Sequence, residues 1–501
     1  MTADLSRRAL LRTAGAAGVA AAASSAAFAH IPTKAPAKWD QTVDVLVVGT
    51  GFSGFSAAIE AKNAGADVLL IDKMPVIGGN STLSGGGFAA PGSDMQKKAG
   101  IEDSAEQLYQ DMLKAGGYIN QRECAKAVAY GALDSYKWAT EYLGVKWDRL
   151  GFHGGHSVAR SCAFMNGSGA NIIRPMKAKA DELGIPVQLR TWLKEIIVDD
   201  NGAVIGAELR RGFRFPDEKS GKPVFVRVTR GLVMATGGFS QNVTMRMWQD
   251  PRLTADLGST NHPGATGDGL LAAQRIGAGT TLMDWIQLGP WTSPDEKGFG
   301  FCPKFVESAV GYGLMVDPKT GKRFINETGN RKVRSDAIIA TGHPAVLFVS
   351  EKNAAKHVPP AALKGGLENG SIKKFENLDA LAAGYGIDAK TLKESVARWN
   401  EAIKAGKDKD FNAKIFKDTE VNEGVFYACR LWPRVHYCMG GMMINEKAEA
   451  ISIEFKVIPG LFAAGEVCGG VHGMVRLGTV SIADCVIFGR IAGRSAAARK
   501  A

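Results

Sequence analysis

Val43-Asp44-Val45-Leu46-Val47-Val48-Gly49-Thr50-Gly51-Phe52-Ser53-Gly54, joined by a helical stretch to Val68-Leu69-Leu70-Ile71-Asp72, decides how this chain folds. The apolar run 43–48 suits a strand buried on both faces of a parallel sheet, and residues 55–63 read as the helix that follows. Gly49 allows the tight turn between them, Gly51 lets a pyrophosphate approach the backbone, and Gly54 permits close helix packing. The helix N-terminus then faces the phosphates, and Asp72, ending the second strand, is placed to accept from ribose hydroxyls. Strand, glycines, helix, strand and acid in this order predict a dinucleotide site in an α/β domain, which the glycines alone would not.

The chain has 501 residues, 45% of them apolar and 22% charged, enough for two or more domains with ample cores. It opens with Ser6-Arg7-Arg8-Ala9-Leu10-Leu11-Arg12, an alanine-rich apolar run and Ala27-Phe28-Ala29, which together resemble a twin-arginine export signal over residues 1–29. The apolar run falls short of the roughly 20 residues that a membrane span needs, so no integral membrane segment is expected after signal removal. Export by the twin-arginine route carries folded proteins, which suits a chain that binds a nucleotide cofactor, and places it in the periplasm. The seven cysteines show neither C-x-x-C nor haem-attachment spacing; they read as small buried hydrophobes, and no metal site is expected. The net charge of +11 is spread without a dense basic tract, which argues against a nucleic-acid partner and for attraction of small anions or an acidic protein.

Further along, 187–189, 195–199, 204–209 and 224–228 read as a β-meander with a hairpin at Asp200-Asn201-Gly202, and 232–238 as a strand returning to the nucleotide sheet. Two halves of a sheet separated by a meander favour FAD over a nicotinamide. Between about 285 and 435 the sequence turns aromatic and charged, carries Pro359-Pro360 and a helix near 392–404, and lacks a nucleotide signature, which predicts an inserted domain. Leu461-Phe462-Ala463-Ala464-Gly465-Glu466 reads as one more strand ending in glycine and acid, so the chain returns to its first domain.

Gly78-Gly79-Asn80-Ser81, Gly85-Gly86-Gly87, the stretch from Asn261-His262-Pro263-Gly264 to Asp268-Gly269, Gly321-Lys322-Arg323-Phe324-Ile325-Asn326-Glu327, Met439-Gly440-Gly441, Gly465-Glu466-Val467, and Val471-His472-Gly473 with Arg476-Leu477-Gly478 occur in one order. In this the chain resembles, over about residues 40–498, the flavoprotein part of soluble flavocytochrome c fumarate reductases and their urocanate and methacrylate reductase relatives. The resemblance implies a Rossmann-like FAD-binding α/β domain with a β-meander (38–283 and 438–501), interrupted by an α+β clamp domain (284–437) that caps the substrate. FAD would lie against Gly49, Gly51, Phe52, Ser53, Gly54, Asp72 and Lys73 of the first βαβ unit, and against Gly79, Asn80, Ser81, Gly86 and Gly87 of the loops after it. It would also meet Ala235, Thr236, Gly237, Asp268, Gly465 and Glu466, and the segment holding Arg476, Val480, Ser481 and Ile482. The histidine that holds flavin covalently in membrane-bound relatives falls near Ser81, so non-covalent FAD is expected. Where the family usually reads R-L-G-G-N-A, this chain has Arg476-Leu477-Gly478-Thr479-Val480-Ser481, and Thr479 or Ser481 is a candidate helix cap.

The same resemblance assigns catalytic roles. Arg331 takes the place of the arginine that gives a proton to substrate carbon, and Glu307 that of the glutamate that refills it. The arginine expected three residues after Glu307 is Val310, leaving Tyr312 or a water chain to complete the path. His436 and Arg476 match the pair that grips one carboxylate, for which a planar guanidinium and an imidazole donor are suited. His262 and His472, in glycine-rich motifs, take structural or flavin-side roles. Donors for a second carboxylate are missing, because Gly289 replaces a histidine and Val306 a threonine, while Trp291, Phe299, Phe301 and Phe305 offer an aromatic wall. The implied reaction is reduction of the C=C bond of an α,β-unsaturated monocarboxylate such as methacrylate, acrylate, cinnamate or urocanate, with hydride from flavin N5 and a proton from Arg331, serving anaerobic respiration. With no haem motif between signal and flavin fold, electrons would come from a separate c-type cytochrome or quinol-linked donor. Fumarate reduction proper, a ketosteroid-type dehydrogenase and a non-catalytic flavin electron carrier are the alternative readings.

Overall fold

The computed structural model describes Thr33 and residues 35–421 and 424–500, so the export signal expected at 1–29 lies outside the described residues. β1 (Gln41–Val48) is buried along most of its length. Gly49 follows at φ +110°, where an added Cβ would lie 2.3 Å from the Ala235 carbonyl oxygen. α1 (Phe52–Asn63) then packs back so tightly that a Cβ at Gly54 would lie 1.8 Å from the Gly49 oxygen. β2 (Val68–Ile71) pairs parallel with β1, Val45 opposite Val68 and Val48 opposite Ile71, which brings Asp72 back beside Thr50. β3 (Val187–Gln188) continues the parallel sheet beside β2.

β4 (Thr191–Val198), β5 (Val204–Arg211) and β6 (Lys222–Met234) form the antiparallel meander. The two strands expected at 224–228 and from 232 are one continuous strand of 13 residues. The polar pair between them is absorbed rather than turned out: Thr229 Oγ1 donates to Asp44 at 2.7 Å and an Arg230 Nη1 to the Ala497 oxygen at 2.9 Å. β6 therefore pairs with β5 at one end and with β1 along both halves, uniting meander and parallel sheet.

The next segment builds a second sheet. After β7 (Ile286–Gly289) come α2 (Cys302–Ala309), β8 (Gly313–Asp317), α3 (Arg331–Ala340), β9 (Ala345–Ser350), β10 (Phe426–Leu431) and β11 (Arg434–Cys438). β8, β9 and β10 are the antiparallel centre of a five-stranded sheet edged by Lys322–Arg323 and Lys373–Phe375. This segment has apolar clusters of its own, one around Phe305, Val306 and Leu347 and one around Trp399, Phe348 and Phe426. β7 and β11 pair antiparallel where the chain leaves and re-enters this part, and a register shift after Gln287 leaves His436 without a residue opposite it.

β12 (Val457–Ala463) rejoins the first sheet beside β6, giving eight strands in all, and α4 (Val480–Ala498) lies along α1, with Gly489 and Gly493 against the Ser53 and Ala57 backbone. All seven cysteines are free thiols, six of them buried. Among the described residues no helix is long and apolar enough to cross a membrane.

Candidate active site

The ends of β1 and β6 open on a cleft whose wall contains Gly49, Gly51, Phe52 and Ser53 from the first turn, Asp72 and Lys73 from the end of β2, and Gly79, Asn80 and Ser81 from the loop after it. Ala235, Thr236, Gly237, Asp268, Glu466, Arg476, Ser481 and Ile482 line it from the other side. Of the expected cofactor contacts, Gly54, Gly86, Gly87, Gly465 and Val480 do not form this wall. Gly54 is turned to the Gly49 backbone, Gly86 to Ser168 and Phe164, Gly87 to Thr479 and Ser161, and Gly465 to Ser53 and Cys485, while Val480 is wholly buried. They shape the backbone behind the wall.

The donor set fits FAD. The N-cap residue of α1, Gly51, has no side chain to cap it, so N–H groups of the first turn other than that of Phe52 remain for an anion, and an added Cβ at Gly51 would meet only Ser81 Oγ, at 3.0 Å. Asp72 is held in place at the far end by Thr50, whose N–H and hydroxyl donate at 2.9 and 2.6 Å. Lys73 Nζ is paired with Asp268 at 2.7 Å, and Trp192 Nε1 donates to the other oxygen of that aspartate at 2.6 Å. Thr479 stands at the N-cap of α4 with φ +67°, but its hydroxyl makes no cap bond, so neither Thr479 nor the already helical Ser481 caps the helix. Ser81 Oγ accepts from the Phe52 N–H at 3.0 Å and offers no covalent flavin linkage. Among the described residues no cluster of His, Cys, Asp or Glu is suited to a metal ion.

Beyond the dinucleotide wall the structure brings Arg331, Arg476 and His436 together. Arg331 Nη1 and Arg476 Nη2 donate to the same oxygen, Gln287 Oε1, at 3.2 and 3.0 Å, while Gln287 Nε2 donates to the Arg476 carbonyl at 3.1 Å. Trp291 links the remaining member: the Arg331 guanidinium lies 4.8 Å from its ring centre, and His436 meets it edge-on at 4.7 Å. Thr260 Oγ1 lies 2.8 Å from His436 Nδ1. Burial, with Arg331 and Arg476 nearby, holds the imidazole well below its ordinary pKa, so the ring is neutral. When Thr260 donates to Nδ1, the ring proton sits on Nε2, ready to be given. Burial pushes the Glu466 carboxyl up to about 7, which weakens the negative charge near Arg476.

Glu307, expected to refill Arg331, is brought among charged and imidazole groups. Glu307, on α2, is bonded by Arg334 Nη2 at 3.2 Å and lies 4.0 Å from His153 Nδ1. Burial would raise its pKa, but Arg334, Arg331 and His153 hold it below the ordinary carboxylate value. Tyr312 stacks on His357 with ring centres 3.6 Å apart. Of the four aromatic residues expected as a wall, Trp291 and Phe299 face His436, Phe305 is buried in the core of the second sheet, and Phe301 packs over Gly365. His262 lines the cofactor wall and His472 is buried against Asp484. Gln287, Thr260, Trp192, His153 and Arg334 carried no signal in the sequence, each being a lone polar residue outside any motif.

This fold and cleft define a flavoprotein. The chain belongs to the FAD binding domain family, whose model matches residues 44–482. It is similar to the acrylate reductase flavoprotein subunit of Shewanella woodyi, with 40% identity over 503 residues and 98% of each chain covered. Against the fumarate reductase (cytochrome) of Shewanella frigidimarina it is 38% identical over 458 residues, covering 91% of this chain and 77% of that protein. A solved flavocytochrome c3 fumarate reductase in its open conformation superposes with a TM-score of 0.75 at 35% identity, covering 92% of this chain and 79% of that one. The protein is thus a FAD-dependent oxidoreductase of a family that acts on C=C bonds.

Proposed function

We propose that this enzyme is a periplasmic reductase of a short α,β-unsaturated monocarboxylate, serving anaerobic respiration with electrons from a separate c-type cytochrome or quinol-linked donor. What supports the substrate reading is a single set of donors packed around one indole. Arg331, Arg476 and His436 gather around Gln287 and Trp291, and at Gly289 an added Cβ would lie 1.4 Å from the Trp291 ring, which fills the place a side chain there would take. Val306 is fully buried in an apolar cluster. One carboxylate finds cations here, and the indole stands where a side chain at Gly289 could have brought a further donor.

Bound and reduced, FAD supplies the electron pair that reaches the β-carbon. Arg476 and His436 hold the substrate carboxylate and stabilise the charge that builds toward it. Arg331 then protonates the α-carbon, and Glu307 refills Arg331. Residues 284–437 act as a clamp whose closure excludes water from these groups. Support comes from the acrylate-reducing relative, which matches this chain end to end.

The test is anaerobic reoxidation of dye-reduced enzyme by acrylate, methacrylate, crotonate, cinnamate, urocanate and fumarate. Acrylate and methacrylate are expected to be fastest. Burying an unpaired carboxylate costs several kcal/mol, so fumarate should fall behind by roughly 100-fold or more in kcat/KM. Fumarate matching acrylate would refute the one-carboxylate pocket.

A further inference from the structure

α3 presents a second guanidinium one turn beyond Arg331. Arg334 is 4% exposed, and its Nη2 bond to Glu307 Oε1, at 3.2 Å, ties α3 to α2. Its Nε and Nη1 are buried without a protein acceptor. A buried cation with so few acceptors is costly to keep, so its contribution is to be sought in what it does to Glu307. Three residues after Glu307, just past the end of α2, stands Val310, which has no polar side-chain atom for the task. The second oxygen of Glu307, Oε2, lies 4.0 Å from His153 Nδ1, and both Glu307 and His153 are within electrostatic range of Arg331.

The geometry points to Arg334 as the positioning residue of the proton supply: it grips one oxygen of Glu307 and so holds the other on the side of His153 and Arg331. The inference rests on the proposed reduction and specifies how its proton is delivered. Bound and reduced, FAD would supply an electron pair and one proton to the β-carbon, and Arg331 gives the α-carbon the second proton. Glu307 takes a replacement proton from water and passes it to Arg331, while Arg334 neither gains nor loses one. The cations around Glu307 keep it the stronger acid of the two, so it hands its proton on rather than retaining it.

The experiment compares FAD-loaded wild type, Arg334→Met, Glu307→Gln and the double variant Arg334→Met/Val310→Arg, with acrylate as oxidant. Loss of a fixed orientation at a reacting group costs up to about 100-fold, so Arg334→Met should lower kcat by about 10- to 100-fold with KM within roughly threefold and FAD content unchanged. Val310→Arg, which places a guanidinium three residues after Glu307 at the end of its helix, should restore a large part of that loss. If Glu307→Gln is slow and Arg334→Met is not, the inference falls and the proposed reaction stands. If both turn over normally, Glu307 itself leaves the mechanism. A slow Arg334→Met that has also lost FAD or thermal stability, and that Val310→Arg does not rescue, assigns Arg334 to folding and overturns the inference.

Discussion

Arg331→Gln is expected to lower turnover by about 10²- to 10⁴-fold, the range a positioned proton donor contributes, while FAD stays bound and substrate affinity changes only a few-fold. The expectation follows from what the side chain touches. Arg331 shares Gln287 with Arg476 and rests on Trp291, so glutamine can keep a polar contact there but has no proton to give at the α-carbon. An ordinary guanidinium is a poor acid. Burial, aided by Arg476 and partly opposed by Glu307, lowers this one to about 9. A donor works only while protonated, so kcat/KM should be level below that pH and fall by about tenfold per unit above it. The alkaline limb should be missing from the residual activity of Arg331→Gln. Stopped-flow reoxidation of the reduced variant by acrylate, together with its flavin absorbance, measures both effects; near-normal turnover would remove Arg331 from the chemistry.

What could be read in the sequence was what local backbone geometry dictates. The turn from Gly49 to Gly54 works through main-chain approach, so its residues announce themselves wherever the chain is read. Arg331, His436 and Arg476 were found because each sits at a fixed distance from a glycine-rich motif. Gln287 had no such marker: its partner Arg476 is 189 residues away, and only the pairing of β7 with β11 brings it to the cleft. Arg334 was hidden in the same way, being an ordinary helical arginine until α2 delivers Glu307 to it. The continuity of β6 escaped notice because Thr229 and Arg230 look like a break when their distant acceptors, Asp44 and Ala497, are unknown. The aromatic residues near 291–305 were recognised as a group, but their directions are set by packing, which turned Trp291 into the pocket and Phe305 into the core.

Arg476→Met should cost the other large factor, and it should do so in binding as well as in rate. Arg476 is 4% exposed; its Nη1 donates to the Leu477 carbonyl at 3.0 Å, its Nη2 to Gln287, and its Nε has no partner. A neutral amide oxygen is a weak acceptor for two guanidinium groups, and an incoming carboxylate offers the stronger, charge-assisted one. Methionine preserves the length of the side chain and removes the charge. Truncating one member of a buried charged pair costs about 2–5 kcal/mol, so acrylate kcat/KM should fall by roughly 30- to 4000-fold, with KM rising as well as kcat falling. After burial, the charge of Arg476 does most to lower the Arg331 pKa. Its removal should therefore let the Arg331 pKa rise, and the alkaline limb of the pH profile should move upward in Arg476→Met. A variant that loses affinity without that upward movement would show that the two guanidiniums do not feel each other, and with it the shared grip on Gln287 would lose its electrostatic meaning.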